Sequence, residues 1–529
     1  MKKASVLLLG LLSIYITNAQ VWQGDYVIQN QSDVDNFSIE CSCTQIEGNL
    51  SISNTSINNL EGLGELEYVS GNVDVIGNHS LQNVRLSGLD SIGGNLKVNN
   101  NNTLVDLEGL NTLKVVRGLF AINQNGGLLT LEGLDSLSVV GETFNIFNNA
   151  NLTDIHIGVL LTSVGDLNIS DGISANADYL ISGFDGLEEV GYIKIFMPGK
   201  LGRLHGFSSL ESIGAYLDLS SNSNLYEILA FENLREVVLD LNLSNCNSLL
   251  DVDAFSVLEN VGRELKISAC NNLTLIGGFQ ALRTAGDVLI QTNSNLELIT
   301  GFSALEAISN NLNISTNGSL DTLDNFQKLE EVDQLTILGN ANLKAILNLD
   351  SLKRVTFRLE IQSNALLEDI SGLSGLEFIR HLQISSNNSL SDCCILKCYI
   401  ENEVIDGMTS IIVNNTGCNS PEEILTGCTE VCEMPVGVSI SEVKENELKI
   451  FPNPTSNLSQ IEFEIGVSQN VTFELHSMDG QKLENVINRF FAAGRNKFEF
   501  EFGHLPSGQY LISMKLEDGR KTSRKVIVN

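Results

Sequence analysis

Six histidines are the side chains best able to move protons near neutral pH, and they stand far apart, at positions 79, 156, 205, 381, 476 and 504. None belongs to an HExxH pair or to a serine or cysteine nucleophile motif, so their spacing supports neither zinc-peptidase nor triad chemistry, and no enzyme activity is expected. Oxygen donors crowd the stretch "DGISANAD", where Asp171, Ser174, Asn176 and Asp178 could face calcium. Their order matches neither the EF-hand loop nor the calcium-binding nonapeptide repeat, and a bulging, solvated turn accounts for them. Asp-Ser and Asp-Thr pairs such as Asp135-Ser136 and Asp321-Thr322 recur near turns. Turn capping explains these pairs, with a bacterial O-glycosylation acceptor as the second reading.

The ten cysteines cluster by position. Cys41 and Cys43 come early, while Cys393, Cys394, Cys398, Cys418, Cys428 and Cys432 come late. These eight are expected to form disulfides at the two ends of an elongated array, whose first and last units expose apolar faces; their pairing stays open. No repeated CxxC and no nearby histidine supports a zinc site in the late group. No metal or other cofactor is expected.

Between the cysteine clusters lies a repeat. Glycines at 48, 71, 94, 118, 141, 165, 191 and 214 start units of 23 or 24 residues, one of them longer, in the form G-x-L-x-I-x-x-N-x-x-L-x-x-L-x-G-L-x-x-L-x-x-V. The L-x-I pair has period two and puts both side chains on one face of a short strand. The later apolar residues fall every third position, as in Leu107, Leu110, Leu113 and Val116, which suits a tightly coiled return wall rather than an α-helix. A single unit cannot bury its own apolar face, so units must stack and their strands must pair in parallel.

Three residues past the strand, the repeat places Asn78, Asn101, Asn125, Asn149, Asn222, Asn293, Asn317, Asn340, Asn364 and Asn387. The chain turns inward there and buries backbone groups that no strand partner reaches; an amide both donates and accepts, so these residues should form a buried ladder. In the run "NNNN" Asn101 belongs to that ladder, and its neighbours take solvent-facing turn positions. Cys246 and Cys270 occupy the same column in consecutive units, either as buried thiols or as a bridge.

The outward residue that follows each strand is mostly Ser, Asn or Gln, but it is Phe147 and Phe196 in two units separated by one. Stacked strands lie about 4.8 Å apart, so the two rings would stand roughly 10 Å apart on one sheet face. Tyr192 and Lys194 extend that patch, with Lys200, Arg203 and His205 on the same unit's return. Exposed aromatics beside cations make a contact surface for an extracellular protein or glycan ligand; a covering loop is the alternative.

The formal net charge is −34. From Glu442 onward there are 11 basic and 12 acidic residues, a balance of −1, so −33 falls on the part before. That acidity argues against nucleic acid as a partner. Lys2 and Lys3, an apolar run from Ala4 to Ile16 and Thr17-Asn18-Ala19 read as a signal peptide. No later segment holds 18 consecutive apolar residues, so no transmembrane segment is expected in the mature chain.

"CTQIEGNLSI" (Cys43 to Ile52) and "LEGLGELEYVSGNVDVIGN" resemble the receptor L domain, the leucine-rich-like ligand-binding module of insulin- and EGF-type receptors. The resemblance spans roughly Cys41 to Ile400 and implies a right-handed solenoid that binds a ligand. No receptor contact residue has a matching motif here. After Cys432 the pattern changes to alternating strands with turns at Asp479-Gly480 and Asp518-Gly519, which reads as a small antiparallel sandwich. There "FPNP" (Phe451 to Pro454), "LPSGQY" (Leu505 to Tyr510) and "RKVIV" (Arg524 to Val528) resemble the type A sorting domain of the type IX secretion system. That resemblance implies recognition by the secretion machinery.

The expected architecture is mostly β: a right-handed, leucine-rich-type parallel β-solenoid followed by a small antiparallel β-sandwich. The expected boundaries are 1–19 signal peptide, 20–47 N-terminal cap, 48–400 solenoid, 401–432 cysteine-rich cap, 433–446 linker and 447–529 sorting domain. The expected function is a secreted or surface-displayed, non-catalytic binding or adhesion protein; a coat-like protein that associates with its own copies is the alternative.

Overall fold

The computed structural model describes residues 20–53, 57–171 and 179–429. In the C-terminal part it describes 448–451, 455, 458–465, 469–477, 482–491, 494–503, 505–516 and 521–528. The signal-peptide reading at 1–19 and the linker at 433–446 lie outside these residues.

Residues 21–412 wind into a parallel β-solenoid of about 16 turns. Each L-x-I segment pairs in register with the next, so Leu96 faces Phe120, which faces Phe144, and Val98 faces Ile122, which faces Ile146. The inward pairs are fully buried, as are Leu104, Leu107, Leu110, Leu113 and Val116 of the return wall. Both expected caps contribute strands to the same sheet: Val21–Gln23 pairs with Gln45–Glu47, and Thr409–Ile412 pairs with Leu382–Ser385.

Stacking leaves little room between rungs. At Gly109, whose φ is +98°, an added Cβ would lie 2.1 Å from Arg85 Cα, so only glycine fits that left-handed turn. The residue just before the asparagine column is also left-handed in most rungs, including Asn100, Gln124, Asn148 and Thr292. Asparagine tolerates that conformation better than most residues, so a second member of the "NNNN" run has a backbone reason for its identity.

The asparagine column is a two-rung clamp. Asn101 Oδ1 accepts from Asn78 N at 2.9 Å, and Asn101 Nδ2 donates to Val75 O at 2.9 Å, both in the preceding rung. The same pair of bonds recurs from Asn125 and Asn149, and again from Asn293 through Asn387. All ten expected asparagines are buried to 1% exposure or less. Asn414 adds one further rung, accepting from Asn387 N. In the same column Cys246 and Cys270 are free thiols, each donating to a strand carbonyl, Leu219 O and Leu243 O respectively. The neighbouring Cys270 thiol, then burial, pushes the Cys246 thiol up.

Two further columns escaped the sequence reading. Phe184, Phe207, Phe231, Phe255, Phe279, Phe302 and Phe326 stack face to face, with centroids 4.9–5.8 Å apart. They replace leucine in the middle rungs, and offset stacking adds to their area burial. On the outside, Asn49, Asn72 and Asn95 carry a second amide column, each Oδ1 accepting the backbone N–H of the next rung at 2.8 Å.

The ends are closed covalently. The helix Gln31–Glu40 starts with a capping box between Asn30 and Asp33 and buries Val34 and Phe37, and Cys41 bonds to Cys43 just beyond it. At the other end Cys393–Cys418 and Cys394–Cys428 tie the helices Ile395–Glu401 and Pro421–Gly427 to the last rungs. Cys398 is also disulfide-bonded, and Cys432 lies outside the described residues.

The C-terminal part is a separate antiparallel unit. Lys449–Phe451, Leu458–Ile465 and Gly494–Glu501 form one sheet, and Lys482–Phe491, Gln469–Ser477, Gly508–Leu516 and Lys521–Val528 form the other. Ile461, Phe463, Phe473, Ile512, Met514 and Val526 belong to its own core, distinct from that of the solenoid.

Candidate binding face on the parallel sheet

Outward positions of four consecutive rungs form a grid on the long sheet. Strand Ile193–Phe196 presents Tyr192, Lys194 and Phe196, because Ile193 and Ile195 point into the core. The preceding rung presents Asp166, Asn168 and Ser170, the one before it Thr143, Asn145 and Phe147, and the following one Tyr216, Asp218 and Ser220. Phe147, Ser170 and Phe196 fall in one register line. The two rings are 42% and 39% exposed, which leaves them open to a partner.

Tyr192 is half-buried because it stacks on Tyr216, with centroids 4.6 Å apart and planes 11° from parallel. The sequence reading missed Tyr216, although "GYIKIF" and "AYLDLS" repeat tyrosine at the same place in consecutive units. Burial holds the Tyr216 hydroxyl above its ordinary range, and Tyr192, Asp166 and Asp218 add to the effect. Asn168 Nδ2 donates to Asn145 Oδ1 at 3.0 Å and Asn145 Nδ2 to Asn123 Oδ1 at 3.1 Å, which fixes the amides beside the rings.

Beneath this grid the asparagine column is interrupted. Between Asn149 and Asn222 no ladder amide stands at the column positions 172 and 198, which are Gly and Pro. Lys200 takes over: its Nζ donates to Asp171 Oδ2 at 2.5 Å, with 1% and 8% of the two side chains exposed, and sits 4.6 Å from the centroid of the Tyr179 ring. Asp171 N donates to Phe196 O at 3.1 Å, so the ion pair joins the turn after Ser170 to the turn after Phe196. Burial foremost, then Asp171 and Asp154, raises the Tyr179 hydroxyl far above its usual range.

Two sequence expectations change here. Lys200 is not an accessible cation, because the rung stacking draws its long side chain inside to Asp171. Asp171 is buried in that ion pair rather than solvated in a bulging turn, while Ser174, Asn176 and Asp178 lie outside the described residues. Arg203 and His205 lie, as expected, on the unit's return, in strand Leu201–Gly206 of a separate sheet.

Three of the described histidines make local contacts on the solenoid. His205 Nε2 meets Glu227 at 2.9 Å, His156 Nδ1 meets Ser182 Oγ at 3.1 Å, and His381 Nδ1 accepts from Met408 N at 3.0 Å. Among the described residues no group of His, Cys, Asp and Glu has the closeness of a metal site. Other oppositely charged pairs, such as Lys114–Asp90, Arg235–Glu259 and Lys344–Asp321, link neighbouring rungs at the surface, where solvent screening keeps their contribution small.

Residues 449–529 match the model of the secretion system C-terminal sorting domain. No curated protein matches the chain. The sorting domain directs export by type IX secretion to the cell surface or the extracellular space. Among the described residues no helix is long and apolar enough to cross a membrane.

Proposed function

We propose that this exported chain is a non-catalytic binding or adhesion protein whose solenoid, of the leucine-rich receptor L-domain type, offers the face around Phe147, Tyr192, Lys194 and Phe196 to an extracellular ligand. One observation carries the reading: two open aromatic rings stand in register on a rigid sheet whose other outward positions there are polar. A stacked sheet costs little to order on binding, so exposed rings become effective anchors. The L-domain type rests on the "G-L-x-x-L-x-x-V-x-G-x-L-x-I" phrase and on a column shared by Asn and Cys. Substituting both Phe147 and Phe196 by Ala is expected to weaken attachment to the native target surface by about tenfold or more, with the thermal unfolding midpoint unchanged. Equal attachment by native and doubly substituted chains would remove the face from consideration.

The export arm has its own test. Deleting Phe451–Asn529 should trap the protein in the periplasm, as fractionation and immunoblotting would show. Normal appearance outside the cell would count against the domain as the export signal.

A second reading, self-association into a coat, is favoured by the end strands Val21–Gln23 and Thr409–Ile412 of the parallel sheet, whose outer edges pair with no other strand among the described residues. The terminal strands expose Val21 and Trp22 at one end, and Ile412 with its neighbours Met408 and Val413 at the other. Unpaired strand edges with apolar side chains are templates for end-to-end pairing. Light scattering of the mature chain should then show concentration-dependent growth that Ile412→Lys abolishes; a constant monomer mass would sink this reading.

A further inference from the structure

We propose that the face takes a neutral, extended glycan, with one sugar ring stacked on Phe147 and another on Phe196; this deepens, and rests on, the reading of that face as a binding surface. One strand lies between the two rings, so two inter-strand spacings, about 10 Å, separate them, and the small Ser170 stands between. The rings therefore act as two separate platforms rather than one apolar anchor, and a chain of linked sugars can seat alternate rings on them. A protein hot spot instead wants aromatics gathered in one desolvated patch. Here hydroxyl and amide groups divide them.

The surrounding groups suit hydroxyl-rich edges. Asn145 and Asn168 each spend one amide N–H on the neighbouring amide oxygen, which fixes the side chain and leaves the second N–H as an aimed donor. Asp218, on the rung after Phe196 and in line with Lys194, supplies carboxylate oxygens as acceptors. A pyranose has apolar C–H faces and an equatorial rim of hydroxyls that both donate and accept, and the face offers flat apolar rings bordered by oriented donors and acceptors. The part of the chain before Glu442 carries a formal charge of −33, so sulfated or uronic-acid polymers meet repulsion and neutral ones do not.

Calorimetric titration of the full secreted chain tests this with named probes: cello-, chito- and manno-hexasaccharides, the corresponding disaccharides, and hyaluronan. The expected result is binding of at least one neutral hexasaccharide, at least tenfold weaker binding of its disaccharide, which cannot span both rings, and no binding of hyaluronan. Phe147→Ala and Phe196→Ala should each weaken the hexasaccharide by about tenfold, with unchanged unfolding midpoints. No neutral oligosaccharide binding, or binding indifferent to both rings, overturns the inference. If a purified protein ligand binds instead and is lost in both variants, the binding face stands and the glycan falls. If both variants keep every interaction of the native chain, the face itself falls.

Discussion

Replacing Asn101 by Ala should lower the unfolding free energy by about 3–5 kcal/mol, while the same change at the adjacent Asn102 should cost less than about 0.5 kcal/mol. The two residues are identical and consecutive, yet Asn101 is fully buried and Asn102 is exposed. Alanine at 101 strands Asn78 N–H and Val75 C=O, each of which meets the Asn101 amide at 2.9 Å. Each stranded group costs about 1–3 kcal/mol, because water cannot reach it. Urea midpoints of the two variants decide the matter. Similar midpoints would mean that the column fills space without holding rungs together.

Lys200→Met is the second large effect, expected at about 3–5 kcal/mol. The substitution keeps the bulk of the side chain but leaves the Asp171 carboxylate, 8% exposed, without the ammonium at 2.5 Å. Removing both partners in Asp171→Leu/Lys200→Met should recover most of the loss, since an apolar pair no longer has a charge to desolvate. The pair also joins the turns after Ser170 and Phe196, so the single variant should speed hydrogen exchange at Asp171 N. A single variant as stable as the native protein, or a double variant no better than the single, would show that the ion pair is not what holds this interrupted part of the ladder.

Much of the solenoid was legible because its rules are local. Period two in "LKV" and period three from Leu107 to Val116 state which side chains face inward, and burial of these residues follows directly from stacking. The phenylalanine column was equally visible as Phe in place of the leucine of "GL" from Phe184 to Phe326, but a leucine position accepts either residue. Only near-parallel rings with centroids 4.9–5.8 Å apart show it to be one continuous stack. The sandwich was legible from its alternation and its turns, and the sorting role from short motifs that sit within residues matched as a sorting domain.

The site was harder to read. Phe147 and Phe196 could be placed on the same outward line by counting along the repeat, whereas Tyr216 had to be seen stacked on Tyr192 before it joined them. Lys200 was misplaced for a physical reason: a lysine in a turn is usually solvated, and nothing within its own unit reveals an acid 29 residues earlier at 2.5 Å. The sequence by itself determined the rung, its inward columns and the change of architecture after Cys432, because these depend on contacts within one unit or on a strict period. Only the tertiary structure decided which cation is buried, where the amide ladder gives way and which rings share a face. Those outcomes depend on the register between stacked rungs, where one or two extra residues in a turn change every cross-rung partner.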